Sequence, residues 1–185
     1  GEVLEIFGRR DGRVNERSAH RRLSDLFEDH PVACRVQLFE MNNFFAAYNA
    51  EGNFMLGLSN SFHAAHRLYS DGLSDTENQN TYGKCSHPSG HGHQYRVEAT
   101  IGGTYDDHTG TVYRLDRFTD ALHKSIEPWA YKHLNLETTD FVATATTGEN
   151  IVARLWERLD PMLQNRLTRL RLWETANNRF TLRRK

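Results

Sequence analysis

Five of the ten histidines fall close together, as His63, His66, His87, His91 and His93. Imidazole binds divalent metals without needing a basic neighbourhood. His91 and His93 form an H-x-H pair inside HGHQYRVEATIGGTY (91–105), whose alternation is that of a strand. On a strand, residues i and i+2 share a face, with Cβ atoms roughly 6.5–7 Å apart. Two imidazoles so placed can both reach one ion at about 2.0–2.1 Å. A third ligand must come from a neighbouring strand. His66 sits near the end of the preceding predicted strand, and antiparallel pairing brings it alongside. His63 competes, but it lies three residues earlier and so faces the opposite side. Three histidines with one open position form a catalytic zinc pattern; a closed structural site would need His63 or His87 as a fourth ligand. Cys85 stands six positions before His91, close enough in sequence to join this chemistry. Cys34 belongs to no motif and reads as core.

These residues need a scaffold. Residues 14–29 show helical apolar spacing at Ala19, Leu23, Leu26 and Phe27, ended by His30-Pro31. Residues 33–40 and 43–49 read as two strands across a turn at Met41-Asn42. Residues 53–68 read as a long strand with an irregularity at Gly57, and 70–90 as a polar loop. After strand 91–105, Asp106 to Gly110 is a turn and 111–115 continues the hairpin. Residues 116–126 and 148–163 are amphipathic helices, separated by an irregular connection over 129–146. Residues 167–174 and 178–184 form a closing hairpin. This order predicts an α+β fold with helices on one face of an antiparallel sheet.

Composition narrows the function. Lys and Arg number 23 against 24 Asp and Glu, so the net charge of −1 offers no basic field for nucleic acid. No run of about 18 apolar residues exists, so no membrane-spanning helix is expected. The N-terminus lacks a secretory pattern, and neither cysteine sits in a CxxC pair, so a reducing, cytoplasmic setting is expected.

The chain also hints at an internal repeat. RVQLFEMNNFFAA (35–47) parallels RLRLWETANNRFTL (169–182). Arg35, Leu38, Phe39 and Glu40 align with Arg169, Leu172, Trp173 and Glu174; with one gap, Phe45 aligns with Phe180. The spacing from Glu16 to Glu40 is within one residue of that from Glu149 to Glu174. Residues 1–52 thus read as a helix-hairpin, the tail of a partial first copy, and 53–185 as a complete domain.

SFHAAHRL, LSDTEN, GKC-x5-HGH-x-Y, TTGEN and RLWETANN occur in this order. Over about residues 54–185 the chain therefore resembles the 6-pyruvoyl-tetrahydropterin synthase and 6-carboxytetrahydropterin synthase family. The five residues between Cys85 and His91 favour the pyruvoyl branch, since the carboxy branch typically has three. The resemblance implies a tunnelling fold, a four-stranded antiparallel sheet with two helices on one face, here preceded by the extra helix-hairpin. It implies a homo-oligomer, a trimer or hexamer, or a smaller ring where a repeat replaces subunits. His66, His91 and His93 match the zinc ligands, Cys85 the catalytic thiol and Glu174 the carboxylate that anchors the pterin. Glu149 matches a second pterin-site carboxylate and Thr147 a neighbouring polar contact. The implied substrate is a small pterin, 7,8-dihydroneopterin triphosphate, with zinc as cofactor and magnesium accompanying the triphosphate. Arg67, Lys84 and Arg96 are candidate triphosphate contacts. The branches differ in product, and a zinc- and pterin-binding subunit without turnover is a further alternative.

One segment departs from the family pattern. The family activates its thiol with an Asp-His pair in a D-H-x-N-L-like segment, and this chain has YKHLNLE (131–137). His133 aligns with the histidine, while Lys132 stands where Asp is expected. Three readings follow: Glu127, Glu137 or Asp140 substitutes, subunit pairing brings in a group from the other repeat, or turnover is weak or changed.

Overall fold

The computed structural model describes residues 35–49 and 53–185. The helix expected over 14–29 and Cys34 lie outside the described residues. Strands β1 (Arg35–Met41), β2 (Phe44–Asn49), β3 (Phe54–His66), β4 (His91–Gly103), β6 (Leu167–Trp173) and β7 (Arg179–Arg183) pair in the order β1-β2-β3-β4-β6-β7. All these neighbours run antiparallel. A two-residue β5 (Lys132–His133) joins β3 in parallel at Ala64 and Ala65. β4 covers one edge of β3 along its full length. The other edge is shared, with β2 on its first half and β5 at its end.

The sheet is therefore wider than four strands, because the β1–β2 hairpin continues it. Gly57 causes no irregularity; it pairs in register with Phe45 and Thr100. Its lack of a side chain matters instead because a Cβ there would lie 1.9 Å from the Phe45 ring. The register shifts occur elsewhere, between Phe39 and Met41 and between Thr100 and Ile101.

One face of the sheet carries the core. Leu56, Leu58, Phe62 and Ala64 of β3 alternate inward, as do Tyr95, Val97, Ala99 and Ile101 of β4. Helices α2 (Leu115–Ile126) and α3 (Gly148–Met162) cover this face. In α2 the inward stripe is Phe118, Ala121, Leu122 and Ile126; in α3 it is Ile151, Val152, Leu155 and Leu159. Trp129 is fully buried beside Phe62 and Phe141.

The segment expected as a loop over 70–90 holds helix α1 (Asp75–Tyr82) and a 3₁₀ turn (Gly83–Ser86). α1 buries Asn78 and carries no apolar stripe, so periodicity cannot reveal it. Its start is fixed by a capping box. Glu77 N–H donates to Ser74 Oγ (3.3 Å), and Ser74 N–H donates to Glu77 Oε2 (2.8 Å). The expected hairpin over 111–115 shrinks to one bridge, Asp106 to Thr111, because Leu115 already opens α2. No helix among the described residues is long and apolar enough to cross a membrane.

Candidate active site

The site forms where β3 ends and β4 begins. His66 pairs directly with His91, and His93 lies one pleat further on the same face of β4. The three ring centroids are 4.5, 5.1 and 4.8 Å apart. One nitrogen from each ring falls within 4.8 Å of the others. His66 is fully buried, and its Nδ1–H donates to the Thr146 carbonyl (2.8 Å). That bond fixes the tautomer and leaves the Nε2 lone pair facing His91 Nε2 at 3.0 Å.

Burial favours the neutral form of His66 and His91. Burial pulls His66 down to about 4, against the upward pull of the Thr146 carbonyl and Glu174. Burial and then His93 lower His91, again opposed by Glu174. His93 Nε2 is buried and makes no hydrogen bond of normal geometry. Three imidazoles with ligand nitrogens this close, one of them without a hydrogen-bond partner, fit a divalent cation. This donor set suits zinc, and the open side suits an exchangeable fourth ligand.

Glu174, just beyond the end of β6, places Oε1 3.4 Å from His66 Nε2 and 3.9 Å from His93 Nε2. Asn178 Nδ2–H donates to its other oxygen at 3.3 Å. Tyr95 forms the floor, stacked on Phe62 (5.1 Å) and 5.5 Å from the His93 ring. Burial first, then the adjacent Glu174 carboxylate, push its phenol upward.

Cys85 is partly buried in the 3₁₀ turn. Its carbonyl accepts from Leu68 N–H (2.9 Å), which ties the turn to the end of β3. Ser86 locks the turn by donating to Gly83 O (2.8 Å) and Gln79 Oε1 (3.0 Å), and Arg67 Nε–H donates to Ser86 O (2.7 Å). The thiol is near enough to act electrostatically on Tyr95 but stands outside the three-histidine cluster.

His133 approaches from β5. Gly90 makes room for it with a left-handed backbone (φ 64); a Cβ there would lie 2.7 Å from His133 Nε2 and 2.8 Å from the His66 carbonyl. His133 Nδ1 is buried without a hydrogen bond. Of the expected orienting carboxylates, Glu137 accepts the backbone N–H of His133 (2.6 Å) rather than the ring. Asp140 is taken by Trp129 Nε1–H (2.8 Å) and Arg158 (2.7 Å). Lys132 is drawn outward toward Glu137 (3.7 Å).

Other expected residues are placed differently. Thr147 caps α3 by accepting from Asn150 N–H, and Glu149 is exposed in the first turn. Arg67 faces a cavity of about 520 Å³ shared with Tyr69, Tyr82, His133 and Asn135. Its guanidinium stacks on Tyr69 at 3.9 Å. Lys84 is exposed in the 3₁₀ turn. Arg96 sits over Trp173 on the opposite face of β4 from His91 and His93, so strand alternation removes it from the site. His63 stacks on Tyr131 and His87 Nδ1 accepts from Ser89 N–H; neither joins the cluster, which excludes them as fourth ligands here.

Two residues escaped the sequence reading. Thr146 supplies the carbonyl that orients His66, and its Oγ1–H donates to Arg67 O (3.1 Å). Asn135 clamps the same backbone, accepting from Arg67 N–H (2.9 Å) and donating to Arg67 O (3.1 Å). Thr146 opens the TTGEN motif and Asn135 lies within HLNL, and these places were the available signals.

A family profile described as 6-pyruvoyl tetrahydropterin synthase matches residues 56–185. The 6-pyruvoyl tetrahydrobiopterin synthase of Pongo abelii is 40% identical over 120 residues, which covers 64% of this chain and 83% of that protein. The human protein of the same name is 38% identical over the same shares. The solved structure of Caenorhabditis elegans 6-pyruvoyl tetrahydropterin synthase superposes with a TM-score of 0.68 and 32% identity, covering 71% of this chain and 95% of that one. Sequence and fold thus agree over the stretch that carries the histidine cluster, and the chain belongs to the 6-pyruvoyl tetrahydropterin synthase family.

Proposed function

We propose that the protein converts 7,8-dihydroneopterin triphosphate to 6-pyruvoyl-tetrahydropterin with loss of triphosphate, as a zinc-dependent carbon–oxygen lyase. The observation that carries this reading is the convergence of His66, His91 and His93 as buried or half-buried imidazoles beside Glu174. His66, His91 and His93 would hold zinc, which when bound polarises side-chain oxygens and acidifies the adjacent carbons. Glu174 accepts the 2-amino and ring N–H donors of the pterin, a two-point contact suited to a carboxylate. Cys85 takes a proton from a side-chain carbon as thiolate and returns it later as thiol. His133 stands beside this path and accepts or relays the proton. Oxidation of the side chain and reduction of the ring balance within one substrate, so no redox cofactor enters. Magnesium accompanies the triphosphate, and the assembly is a cytoplasmic homo-oligomer.

The test is incubation with zinc and dihydroneopterin triphosphate, with the pterin identified by mass. A pyruvoyl product is expected; a carboxy product with acetaldehyde would move the protein to the 6-carboxytetrahydropterin branch. Cys85→Ala is expected to cut conversion by about 10²–10⁴-fold, the usual worth of a positioned acid–base group, with bound zinc retained. Full conversion by that variant would remove the thiol from the mechanism.

A second reading is favoured by one observation. No carboxylate among the described residues reaches the His133 ring, and Lys132 occupies the family's Asp position. A zinc- and pterin-binding subunit without turnover would show bound zinc and no triphosphate release. Lys132→Asp is the discriminating variant. A gain in rate would mean the orienting group had been lost, and an unchanged rate that another group orients His133.

A further inference from the structure

Strand β5 docks on the end of β3 through a row of carbonyls at alternate residues. His63 O accepts from Tyr131 N–H (2.6 Å) and Ala65 O from Leu134 N–H (2.7 Å). The next carbonyl of the row belongs to Arg67, just past the end of β3. The β5 backbone turns away before reaching it, because Leu136 N–H and Glu137 N–H fold back onto His133 O (3.0 and 2.8 Å). The Asn135 side chain takes the place instead. Its Nδ2–H donates to Arg67 O (3.1 Å), and its Oδ1 accepts from Arg67 N–H (2.9 Å). A primary amide carries both the donor and the acceptor of a peptide group, so one side chain completes a rung of the ladder.

This rung lies between two groups of the site. On one side, Asn135 belongs to the turn that carries His133, whose own N–H is held by Glu137 Oε2 (2.6 Å). On the other side, Arg67 directly follows His66. Thr146 closes the joint from within, fully buried. Its carbonyl accepts from His66 Nδ1–H (2.8 Å), and its hydroxyl lies 3.1 Å from Arg67 O and 3.3 Å from Asn135 Oδ1. The His133 ring and the His66 backbone also meet at Gly90, where a Cβ would lie 2.7 Å from His133 Nε2 and 2.8 Å from His66 O. His133 is close enough to act electrostatically on His91 as well.

We propose that Asn135 is a positioning residue: its amide serves as the last rung between β3 and β5 and couples the setting of the His133 ring to that of the His66 ring. Two functional rings that are far apart in sequence thereby share one frame. Asp has the same shape but cannot take this place, because it offers no N–H to the Arg67 carbonyl and sets a negative charge against it. Leu, of similar size, has neither group and leaves both backbone atoms of Arg67 without this partner. That the coupled rings serve proton transfer at a metal rests on the lyase reading; the coupling itself does not.

The experiment uses the full chain without substrate. Histidine ring nitrogen shifts are read by NMR on the metal-free protein, and zinc affinity by competition with a chelator. Asn135→Asp and Asn135→Leu are each expected to move the His66 and His133 signals together. Each is also expected to weaken zinc binding by about 10–100-fold, the usual loss when a group supporting a metal-binding histidine is removed. The signals of His108, in the Asp106–Gly110 turn, and of His123, on α2, should stay in place. Wild-type zinc affinity in a folded variant would overturn the proposal. So would a shift at one of the two rings alone, or shifts of equal size at His108 and His123, which would report general loosening. Loss of the folded circular dichroism signal in both variants would also overturn it, since Asn135 would then serve the fold as a whole. Because no substrate enters, a failed turnover assay leaves this result standing, and a negative result here leaves that assay untouched.

Discussion

At His66, burial and function pull in one direction. The ring is held at about 4 in the folded chain against 6.5 for a free histidine. Below pH 6.5 the unfolded chain takes up this proton while the folded chain does not. Stability present above 6.5 is therefore lost progressively as the pH falls to about 4, and no further loss comes from this group below that. Melting temperatures of metal-free protein across this range are expected to fall, and His66→Gln to flatten that dependence. A wild-type profile that stays level between 6.5 and 4 would contradict the neutral assignment. Metal affinity should weaken over the same interval, because protons compete for the lone pairs. Strand parity alone separated His66 from His63, since three residues change the face. Parity also disqualifies Arg96. What spacing could not supply was the carbonyl of Thr146, because a hydrogen bond across 80 positions leaves no local trace.

At the level of elements, the strands and the two amphipathic helices were legible because each buries one periodic face. α1 was not, since its eight residues are polar throughout; the Ser74 and Glu77 pair was the one readable sign. β5 was too short for any period to register. Ladder pairs also hold charge that no pattern of apolar residues announces. Glu98 of β4 bonds Arg169 (3.0 Å) and Arg171 (3.4 Å) of β6, and the Glu98 and Arg169 side chains are each only 10% exposed. Glu98→Ala leaves both guanidinium groups without this carboxylate in a mostly desolvated setting. It is expected to destabilise by about 3–5 kcal/mol, read from the denaturant midpoint. A change within about 0.5 kcal/mol, the range of an ordinary surface substitution, would show the pair to be solvated in solution.

Across the whole molecule, the family's stretch begins at residue 56, so the β1–β2 hairpin is an addition seated on its first strand. β2 and β3, which stand on either side of the expected division at residue 52, pair in one sheet. Gly148 opens α3 directly against Phe180, whose ring would stand 2.0 Å from any Cβ placed there. Thr146, which grips the imidazole of His66, lies two residues upstream. A lever therefore runs from β7 through the Phe180 ring and the start of α3 to Nδ1 of His66. Gly148→Ala is expected to swing that lever and shift the His66 ring resonances, although the substitution touches neither ligand nor substrate; unmoved resonances would show the linkage to be slack. Whatever grips the rim of the sheet would, by this route, tune the set of the His66 ring.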